Sequence, residues 1–544
     1  MKKTLSLLAF IVSFYCTYAQ DGSPDPAFGT NGMVTVPVKL RTTDNSISAD
    51  KIVQLPQGGY IVASSSYYSD ISYGNHVYLS KFDKNGLPDK SFGKKGTIEV
   101  FPDLLYFSIA ALAVDSTGKI VITTDASALN PDANFTIAKF KADGSGPDSS
   151  FGNNGVFTYI NRNIHVKAQP DALVILPNNK ILVSGSFRLN NVDECAIIRL
   201  QPNGLPDKTF NGTGFNYFQY KTIGVAGGDY YYNSQPLGVQ PDGKILVTFV
   251  DIARFNSNGT RDLSFGTGGL VTCNKIGNYR EILHSLAVLP DGSFMYLADE
   301  VQYFDDGGGF STDRVYRYTK NGTIDSSFAT NGVLAIYNNY LFFELPPAIG
   351  CLTVQPDYKF LVSNAGPDED FSGNVITRYL KSGNPDSTFA NNGNLPNPVT
   401  QYSELLVSQV LLQKDSKIVT LAYPLVGVSV TGYYYISRYL NSVVPQNIVA
   451  GSTTVRADNF SVNKPLPAVL LSPNPATDHL TISGLNNKVK SVIQILNAQG
   501  KPVLQANVQD AQYNLKLDNF SAGIYYVIVS ENNTITVKQA FIKQ

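Results

Sequence analysis

Residues 86–96, GLPDKSFGKKG, decide the fold because the chain repeats this phrase along most of its length. Six variants stand elsewhere in the sequence: GSPDPAFGTNG, GSGPDSSFGNNG, GLPDKTFNGTG, GTRDLSFGTGG, GTIDSSFATNG and GNPDSTFANNG. In every copy an Asp precedes the Phe by three residues and a Gly follows it by four. The phenylalanines are Phe28, Phe92, Phe151, Phe210, Phe265, Phe328 and Phe389, spaced 55 to 64 residues apart. Such a period indicates one supersecondary unit copied around a ring or along a stack.

Two strand patterns repeat in step with the phrase. One is a pair of apolar strands joined by a turn, as in LGVQPDGKILVTF and LAVLPDGSFMYLA. Asp and Gly suit the tight turn, and the β-branched flanks suit half-buried strands. The other is a strand that enters the next phrase, such as TIAKF or DIARF, whose Lys or Arg alternates with apolar residues and predicts one wet face. With the strand after each final Gly, every period holds four strands.

Four short strands per unit, seven units and no helical periodicity predict an all-β fold, a seven-bladed β-propeller. A β-solenoid is the alternative, but its coils are usually much shorter than this period. The first phrase and its strand, residues 32–38, precede any hairpin, whereas the last entering strand, residues 435–440, is followed by no phrase. The N-terminal strand is therefore predicted to complete the last blade and close the ring, which removes exposed sheet edges.

The hairpin pairs resemble the inner strands of NHL-type propellers. On this resemblance the hairpin turns and the phrases lie on one face of the ring. The other two sets of loops, which vary in length and composition from blade to blade, then lie on the opposite face.

Composition narrows the functional classes. Charged residues make up 16% of the chain and the net charge is -1, so no basic field for nucleic acid is present. At 544 residues the chain is too long for one ordinary core, a limit that a ring of blades avoids. Cys195, Cys273 and Cys351 fall in different repeats, which predicts buried free thiols rather than a disulfide framework.

Residues 1–19 are predicted to be a signal peptide. Lys2 and Lys3 precede a short apolar run, and small Ala19 stands before the predicted cleavage site at Gln20. The run is too short for a permanent anchor, and no integral membrane segment is predicted elsewhere. Lipidation at Cys16 is the alternative, which the large Tyr15 before it disfavours.

A different pattern follows the repeats. Residues 441–467 are rich in Gly, Ser, Thr, Asn and Pro and are predicted to be a linker. Residues 468–544 contain short alternating strands, enough for a small C-terminal β-sandwich. This segment resembles the type A C-terminal sorting domain of type IX secretion cargo. The residues that carry the resemblance are Pro473, Asn474, Pro475, Asp478, Gly500, Gly523 and Lys543.

The resemblance implies that residues 468–544 bind the type IX secretion machinery. It also implies export across the outer membrane, removal of the domain, and a secreted or cell-surface location. A generic immunoglobulin-like adhesive module is the alternative for this segment.

Residues 20–440 resemble the delta-60 repeat family of predicted β-propellers. The phrase D-x-x-F-G-x-x-G together with L-x-P-D-G-K-I-L-V carries this resemblance. Asn211, Ala329 and Ala390 depart from it, because they replace the Gly after Phe. The resemblance implies the fold but supplies no activity and no catalytic residues.

The residues of the phrase are given structural roles. The Asp is predicted to cap a turn by accepting backbone N–H bonds, the Phe to pack between blades, and the Gly to supply a positive φ. Calcium binding by the Asp residues is the alternative, but a calcium loop needs several oxygen ligands on alternate residues. No catalytic residue, metal site or cofactor is predicted. His284 near an inner strand is interpreted as a satisfied core residue, with exposure to the central channel as the alternative.

Candidate ligand-binding residues lie in the non-repeating loops. They are Tyr68, Tyr231, Tyr232, Tyr303, Asp305 and Asp306, and a further acidic loop spans residues 366–373. Tyrosine rings beside carboxylates suit carbohydrate, because the ring stacks on C–H groups while the carboxylate accepts hydroxyl hydrogen bonds. In the alternative reading these tyrosines cover blade ends and the acids keep the surface soluble. The absence of Trp weighs against the carbohydrate hypothesis.

Three functional classes stay open. The first is a monomeric, secreted or cell-surface scaffold that binds a glycan or a surface protein without catalysis. The second is a polysaccharide hydrolase or lyase, which two carboxylates in the propeller funnel would favour. The third is a structural surface-layer component with no ligand.

Overall fold

The computed structural model describes twenty-two stretches of the chain. These are residues 20–38, 46–67, 76–102, 109–125, 135–159, 169–189, 192–219, 236–248, 251–272, 280–303, 309–336, 340–342, 350–364, 375–396, 405–424, 432–442, 470–472, 476–483, 485, 490–497, 501–531 and 534–543. The chain divides into two compact units, Met1–Asn459 and Phe460–Gln544. The predicted signal peptide and nearly all of the predicted linker lie outside the described residues.

The described strands of the first unit form seven small antiparallel sheets. Sheet 1 holds β2 (Ser46–Gln54), β3 (Tyr60–Tyr67), β4 (His76–Phe82) and β5 (Thr97–Val100). Sheet 2 holds β6 (Ile109–Val114), β7 (Ile120–Asp125), β8 (Phe135–Phe140) and β9 (Val156–Tyr159). Sheet 3 holds β10 (Gln169–Ile175), β11 (Ile181–Leu189), β12 (Val192–Leu200) and β13 (Phe215–Gln219), with a single 3-10 turn at Pro177–Asn179.

The remaining sheets of this unit follow the same order. Sheet 4 holds β14 (Leu237–Val239), β15 (Ile245–Thr248), β16 (Ile252–Phe255) and β17 (Leu270–Val271). Sheet 5 holds β18 (Arg280–Val288), β19 (Phe294–Tyr303), β20 (Gly309–Tyr318) and β21 (Val333–Ala335), and β22 (Tyr340–Phe342) also pairs with β20. Sheet 6 holds β23 (Cys351–Val354), β24 (Phe360–Asn364) and β25 (Val375–Tyr379). Sheet 7 holds β26 (Leu405–Leu412), β27 (Ile418–Pro424) and β28 (Tyr433–Tyr439), completed by β1 (Met33–Pro37).

The N-terminal strand pairs with the last strand of the first unit. Antiparallel pairing runs from Met33 opposite Ser437 to Pro37 opposite Tyr433, as the offset of the repeats predicts. The first strands of the seven sheets also contact one another in sequence order, and β26 contacts β2. The two ends of the repeat region are therefore joined by backbone hydrogen bonds.

Sheet 6 differs from the four-strand prediction. Its three strands are followed by a single bridge between Thr377 and Asn394 rather than by a fourth strand. The chain after this bridge reads Leu395-Pro396, and proline has no N–H to donate to the ladder. Among the described residues the expected outer strand is therefore reduced to this bridge and to the hydrogen bond that the Leu395 N–H donates to the Ile376 carbonyl oxygen at 2.9 Å.

The phrase has the structural role predicted for it. In all seven copies the Asp side chain accepts a hydrogen bond from the backbone N–H two residues later, at 3.0 to 3.3 Å. All seven phenylalanines have no exposed surface. The final Gly of each copy has a positive φ, for example +88° at Gly269, which a side chain rarely adopts.

The cation in the strand before each phrase is not on a wet face, contrary to the prediction. Six of the seven are buried, at 1 to 7% exposure: Lys139, Arg199, Arg254, Arg317, Arg378 and Arg438. Six of the seven cations pair with the Asp of a phrase, which is the next phrase along the chain or, for Arg438, the first one. Lys139 instead pairs with Asp115, with its Nζ 2.8 Å from the Asp115 Oδ2, and Lys119 takes the phrase Asp of that repeat. In sheet 6, for example, Arg378 bonds Asp386, with its Nε 3.0 Å from the Asp386 Oδ2, and its guanidinium lies 3.8 Å from the centroid of the Phe389 ring. We call each such Asp, Phe and cation a clamp.

Each arginine clamp also reaches the next sheet. Arg317 donates from Nη1 to the Lys381 carbonyl oxygen at 3.1 Å, and Arg199 and Arg254 make the equivalent bonds to the carbonyls of Ser257 and Lys320. The second carboxylate oxygen of the phrase Asp is thus engaged by a cation while the first caps the turn. A calcium ion at these residues would have to displace both kinds of partner.

The second unit contains two antiparallel sheets in its described part. One holds β29 (Leu470–Ser472), β30 (His479–Ser483) and β33 (Gln512–Lys516). The other holds β31 (Ser491–Asn497), β32 (Pro502–Val508), β34 (Gly523–Glu531) and β35 (Thr534–Lys543). Both sheets contribute to one apolar cluster, to which Ile482 and Leu515 come from the first and Ile495 and Val527 from the second.

Two of the cysteines behave as predicted. Cys195 and Cys351 are buried and free, and Cys273 lies outside the described residues. Within the described part of the chain, no helix has the length and apolar character needed to cross a bilayer.

Candidate functional site

The hairpin turns and the phrases lie at the same end of the strands. Lys180, beside the hairpin turn of sheet 3, places its Nζ 2.7 Å from the Asp207 carboxylate in the following phrase, and Lys359 reaches Asp386 at 3.0 Å in sheet 6. The connections at 68–75, 304–308 and 365–374 therefore leave the opposite ends of the strands. This separation agrees with the sequence prediction that one end of the strands carries the variable loops.

Five of the six predicted ligand-binding residues fall in connections between strands, at 68–75, 220–235 and 304–308. Tyr68, Tyr231, Tyr232, Asp305 and Asp306 lie outside the described residues, as does the acidic loop at 366–373. Tyr303 is the last residue of β19 and stands opposite Gly309, the first residue of β20. The hypothesis that these six residues share a binding surface stays a prediction.

The base of the 304–308 connection carries a cluster of ionisable groups. Asp299 of β19 stands directly opposite Asp313 of β20, so the two side chains are cross-strand neighbours on one face of sheet 5. His284 Nε2 lies 2.7 Å from Asp299 Oδ2, and the side chains of His284 and Asp299 are only 8% and 6% exposed. We call Asp299 and Asp313 the carboxyl pair.

A β-bulge positions the histidine. His284 lies within β18, where the pairing with β19 shifts register between Leu283 and Ser285, and not before the strand as the sequence indicates. An extra residue at a bulge is left out of the ladder, which re-aims its side chain. The earlier interpretation of His284 as a satisfied buried residue agrees with its bond to Asp299.

The opposite face of the same hairpin is also charged. Glu300 pairs with Arg314, whose Nε lies 2.7 Å from the Glu300 Oε2, and the Tyr316 hydroxyl donates to Glu300 Oε1 at 3.2 Å. Because successive side chains of a strand alternate between faces, Glu300 and the carboxyl pair lie on opposite sides of sheet 5. Arg314 is thus engaged by Glu300 and not by the carboxyl pair.

The electrostatics of the carboxyl pair favour one shared proton. Burial, the charge of Asp299 and the hydrogen bond with Asp299 together raise the pKa of Asp313 to about 9. Two carboxyl groups in contact cannot both ionise cheaply away from water, so the pair binds one proton at neutral pH. The protonated acid is then a hydrogen-bond donor and its partner an acceptor.

The same bulge recurs in other sheets with different residues. The extra residue is Asp50 in sheet 1, Ala110 in sheet 2, Asp171 in sheet 3 and Ser408 in sheet 7. Asp50 accepts hydrogen bonds of 2.6 Å from Ser48 and Ser65, where Ser65 holds the position of Asp299. In sheet 1 the residues equivalent to Asp299 and Asp313 are Ser65 and Val77. An alignment of these two repeats would therefore have marked the two carboxyl groups as a departure in sheet 5.

The cluster has limited chemical options. Glycosidase carboxyl groups stand roughly 5–10 Å apart so that a sugar or water fits between them, whereas these two are direct cross-strand neighbours whose interaction raises the pKa of Asp313. Nor do the described His, Cys, Asp and Glu side chains include a group of three or more suited to a metal ion. The arrangement can hold and release a proton, and it ties two strands together.

The sorting-domain residues are partly described. Pro473, Asn474, Pro475 and Gly500 lie outside the described residues. Asp478 is exposed and its carboxylate lies 2.7 Å from His479 Nδ1, and its backbone carbonyl accepts from the Leu517 N–H at 2.8 Å. Gly523 begins β34 with a φ of +153° and stands opposite Lys543, at the end of β35. The predicted glycine and the terminal basic residue therefore meet at one end of a strand pair.

Two protein families match parts of the chain. Residues 471–544 match the secretion system C-terminal sorting domain. Residues 176–210, 240–265 and 303–328 match a β-propeller domain of unknown function, DUF5122. No curated protein matches the chain. The C-terminal domain marks the protein for type IX secretion, either to the cell surface or into the surroundings.

Solved structures show only distant likeness. PorZ, a surface component of the type IX secretion system of Porphyromonas gingivalis, is 13% identical with a TM-score of 0.28; the match covers 97% of this chain and 60% of PorZ. An α-L-arabinanase of Penicillium chrysogenum is 14% identical over 66% of this chain and 97% of its own, with a TM-score of 0.33. An ulvan lyase is 11% identical over 69% of this chain and 95% of its own, at 0.30.

Proposed function

We propose that this exported chain, a β-propeller followed by a C-terminal sorting domain, is a non-catalytic scaffold that binds a ligand or mediates adhesion outside the cell. The match of residues 471–544 to the sorting domain carries the proposal. The repeats add support, because the Asp and Phe of every phrase serve capping and packing. Binding is therefore assigned to the loops that differ between repeats.

The proposed architecture is a closed ring of seven blades over residues 20–440, a linker at 441–467 and a small β-sandwich at 468–544. The pairing of β1 with β28 and the successive contacts of the first strands support the ring. The single apolar cluster shared by two sheets supports the sandwich. Asn441, at the proposed start of the linker, still contacts the repeats, since its Oδ1 accepts from Arg378 Nη1 at 3.0 Å. The protein is proposed to be a monomer.

The proposed ligand is a glycan or a surface protein, bound by loops that carry Tyr68, Tyr231, Tyr232, Tyr303, Asp305 and Asp306. Native gels cast with different polysaccharides would test this on the full chain from Gln20. We expect retarded migration with the polymer intact, and the double variant Tyr231→Ala and Tyr232→Ala should lose most of the retardation because stacking rings supply the affinity. Tyr358→Ala is the matched control, since Tyr358 lies in the hairpin turn at the other end of the strands.

The outcomes of the gel experiment separate the functional classes. Equal retardation of the double variant and the parent would show that the loops were wrongly chosen. A cleared zone in the stained gel would indicate a polysaccharide hydrolase or lyase. No shift in any gel would leave a protein ligand or a structural surface-layer role.

Removing residues 468–544 is expected to abolish export, because this segment is the proposed binding site for the type IX secretion machinery. The truncated chain should accumulate inside the cell envelope, with at least a tenfold loss from the surface and medium fractions. Immunoblots of fractionated cells would measure the distribution. Circular dichroism of the purified truncated chain would control for misfolding, and undiminished export of a folded truncated chain would contradict the proposal.

An enzyme acting on polysaccharide is the second candidate function. The observation that favours it is the carboxyl pair with His284, because a shared proton beside an imidazole can serve the acid–base chemistry of a lyase, whereas the pair lacks the carboxyl separation of a hydrolase. Replacing Asp305 and Asp306 by Asn should abolish turnover only in this case. Turnover that survives those changes but falls with Asp299→Asn would place the chemistry at the carboxyl pair.

A further inference from the structure

We propose that Asp299 and Asp313 form a proton-held latch at the base of the 304–308 connection. One shared proton ties β19 to β20, and loss of that proton loosens this end of sheet 5. The latch does not depend on whether the connection binds a ligand.

The register of the β19–β20 hairpin places two carboxyl groups directly opposite each other, so a shared proton is needed to avoid repulsion between them. Asp299 and Asp313 are direct cross-strand partners, four residues before Tyr303 and four after Gly309, the last pair of the hairpin. Like charges directly opposite each other in an antiparallel pair are destabilising. The end of the hairpin can therefore stay closed at low cost only while the carboxyl pair holds a proton.

The surroundings of the carboxyl pair offer little to compensate two negative charges. From β18 the facing group is His284, bonded to Asp299 at 2.7 Å. Arg314 is bound by Glu300 on the other face, and Arg317, further along β20, is bound by Asp325 with its Nε 3.2 Å from the Asp325 Oδ2. The side chains of Arg280 and Glu281, at the start of β18, lie outside the described part of the chain.

Sheet 6 packs against the same face of sheet 5 and supplies no charge there among its described residues. Leu297 and Val315, the neighbours of the carboxyl pair on this face, pack with Leu352. A Cβ on Gly350 would come within 2.8 Å of the Leu297 side chain, so this glycine also lies against sheet 5. Neither Gly350 nor Leu352 titrates, so the described groups that can neutralise the pair are the shared proton and His284.

Proton linkage gives the direction of the effect. Burial first, then the charge and hydrogen bond of Asp299, raise the pKa of Asp313 from 3.8 to about 9. Between these values the folded state holds a proton that the unfolded state has released. Folding at neutral pH therefore takes up about one proton, and the contribution of Asp313 to stability falls as pH rises from about 4 to about 9. Above that range the folded hairpin carries both charges.

The variant Asp313→Asn tests the latch, because asparagine has the shape of the protonated acid and never ionises. Infrared spectra of the full chain at pH 7 should contain a carbonyl band from a protonated carboxylic acid, and Asp313→Asn should remove it. Asp415→Asn is the matched control, since it makes the same substitution at a carboxyl that is 55% exposed in a hairpin turn. His284→Gln should retain the band, which separates histidine titration from the latch.

The thermal stability of the first unit gives a second, independent readout. The Tm of Asp313→Asn should match that of the parent near pH 4 and exceed it by about 3–5 °C near pH 9. Hydrogen exchange should show the parent opening faster than the variant at the ends of β19 and β20 above pH 9. Parallel Tm curves for the two proteins, or a pH 7 spectrum without a band that Asp313→Asn removes, would overturn the proposal.

Discussion

Replacing Arg438 by alanine is expected to lower the free energy of unfolding of the first unit by about 3–5 kcal/mol. The Arg438 Nε lies 2.8 Å from the Asp25 Oδ2, and the two side chains are only 6% and 4% exposed. Removal of one partner leaves the other as an uncompensated buried charge, which is far more costly than losing an exposed pair. This pair also joins residues 413 positions apart in the chain.

The position of Arg438 adds to the effect. Its guanidinium lies 4.5 Å from the centroid of the Phe28 ring, and its Nη1 donates to the Lys84 carbonyl oxygen at 2.5 Å. One side chain thus connects the N-terminal segment, sheet 7 and sheet 1. The alanine variant loses the ion pair, the ring contact and the carbonyl bond together, so the closing contact of the repeat region should open first on heating.

Lys81→Ala is the matched control for this prediction. Lys81 holds the same position in its own repeat, with its Nζ 3.0 Å from Asp89 Oδ2, but the two side chains are 23% and 27% exposed. Solvent screens such a pair, and we expect a loss of at most about 1 kcal/mol. Urea denaturation followed by circular dichroism would measure both variants, because the chain has no Trp for fluorescence. Equal losses of unfolding free energy in the two variants would show that burial does not determine how much each clamp contributes to stability.

Acidification is expected to cost the first unit about 3–6 kcal/mol between pH 4 and pH 2, from three clamps alone. Burial opposes ionisation of Asp207, but hydrogen bonds from Lys180 and Thr209 and the charge of Arg199 outweigh it and lower the pKa to about 2. Asp262 and Asp386 also have a pKa of about 2, for the same balance of causes.

The pH dependence of stability from these three carboxyls is opposite in sign to that from Asp313 in the latch. The pKa of these three carboxyls is lower in the folded state than the unfolded value of 3.8, so their contribution is complete above about pH 4. It is lost as pH falls toward 2, because the folded state must then bind protons that it holds weakly. The lysine partners are 25 to 30% exposed, so solvent screening reduces each contribution to about 1–2 kcal/mol.

Asp207→Asn provides the test for a single clamp. The variant should be less stable than the parent at pH 7, and the difference should shrink as pH falls to 2, because the parent then loses the same charge. Denaturation curves at pH 7, 4, 3 and 2 would measure it, with exposed Asp415→Asn as the control. A difference that stays constant across this range would mean that Asp207 stabilises through packing and not through its charge.

The sequence by itself determined the repeat, the strands and the closing contact. The phrase, the hairpin turns and the caps are local features, in which each Asp bonds an N–H two residues away, so their spacing along the chain is sufficient to predict them. The pairing of β1 with β28 followed from a count of strands at the two ends. The sorting domain was recognisable from its motif, which the family match confirms.

The environment of the clamp cations required the tertiary structure. An Arg that alternates with apolar residues has the pattern of a strand with one face exposed to solvent, yet Arg378 is only 1% exposed. Its partners are the carboxylate of Asp386, eight residues ahead, and the side-chain oxygen of Asn441, 63 residues ahead at the start of the proposed linker. Periodicity within one strand carries no information about contacts of that length. The shortened outer strand of sheet 6 was missed because the strand pattern was extended across Pro396.

The candidate site also has one part that could be predicted from sequence and one part that required the tertiary structure. Loop composition identified the tyrosines and acids of the variable connections, and their grouping at one surface stays a prediction. The carboxyl pair arises only when the hairpin register sets Asp299 opposite Asp313 and the bulge turns His284 onto Asp299. In sequence these are three ordinary polar residues, with Asp299 15 positions after His284 and 14 before Asp313. Their coupling depends on burial and on a shared proton, which are properties of the folded sheets and not of any segment alone.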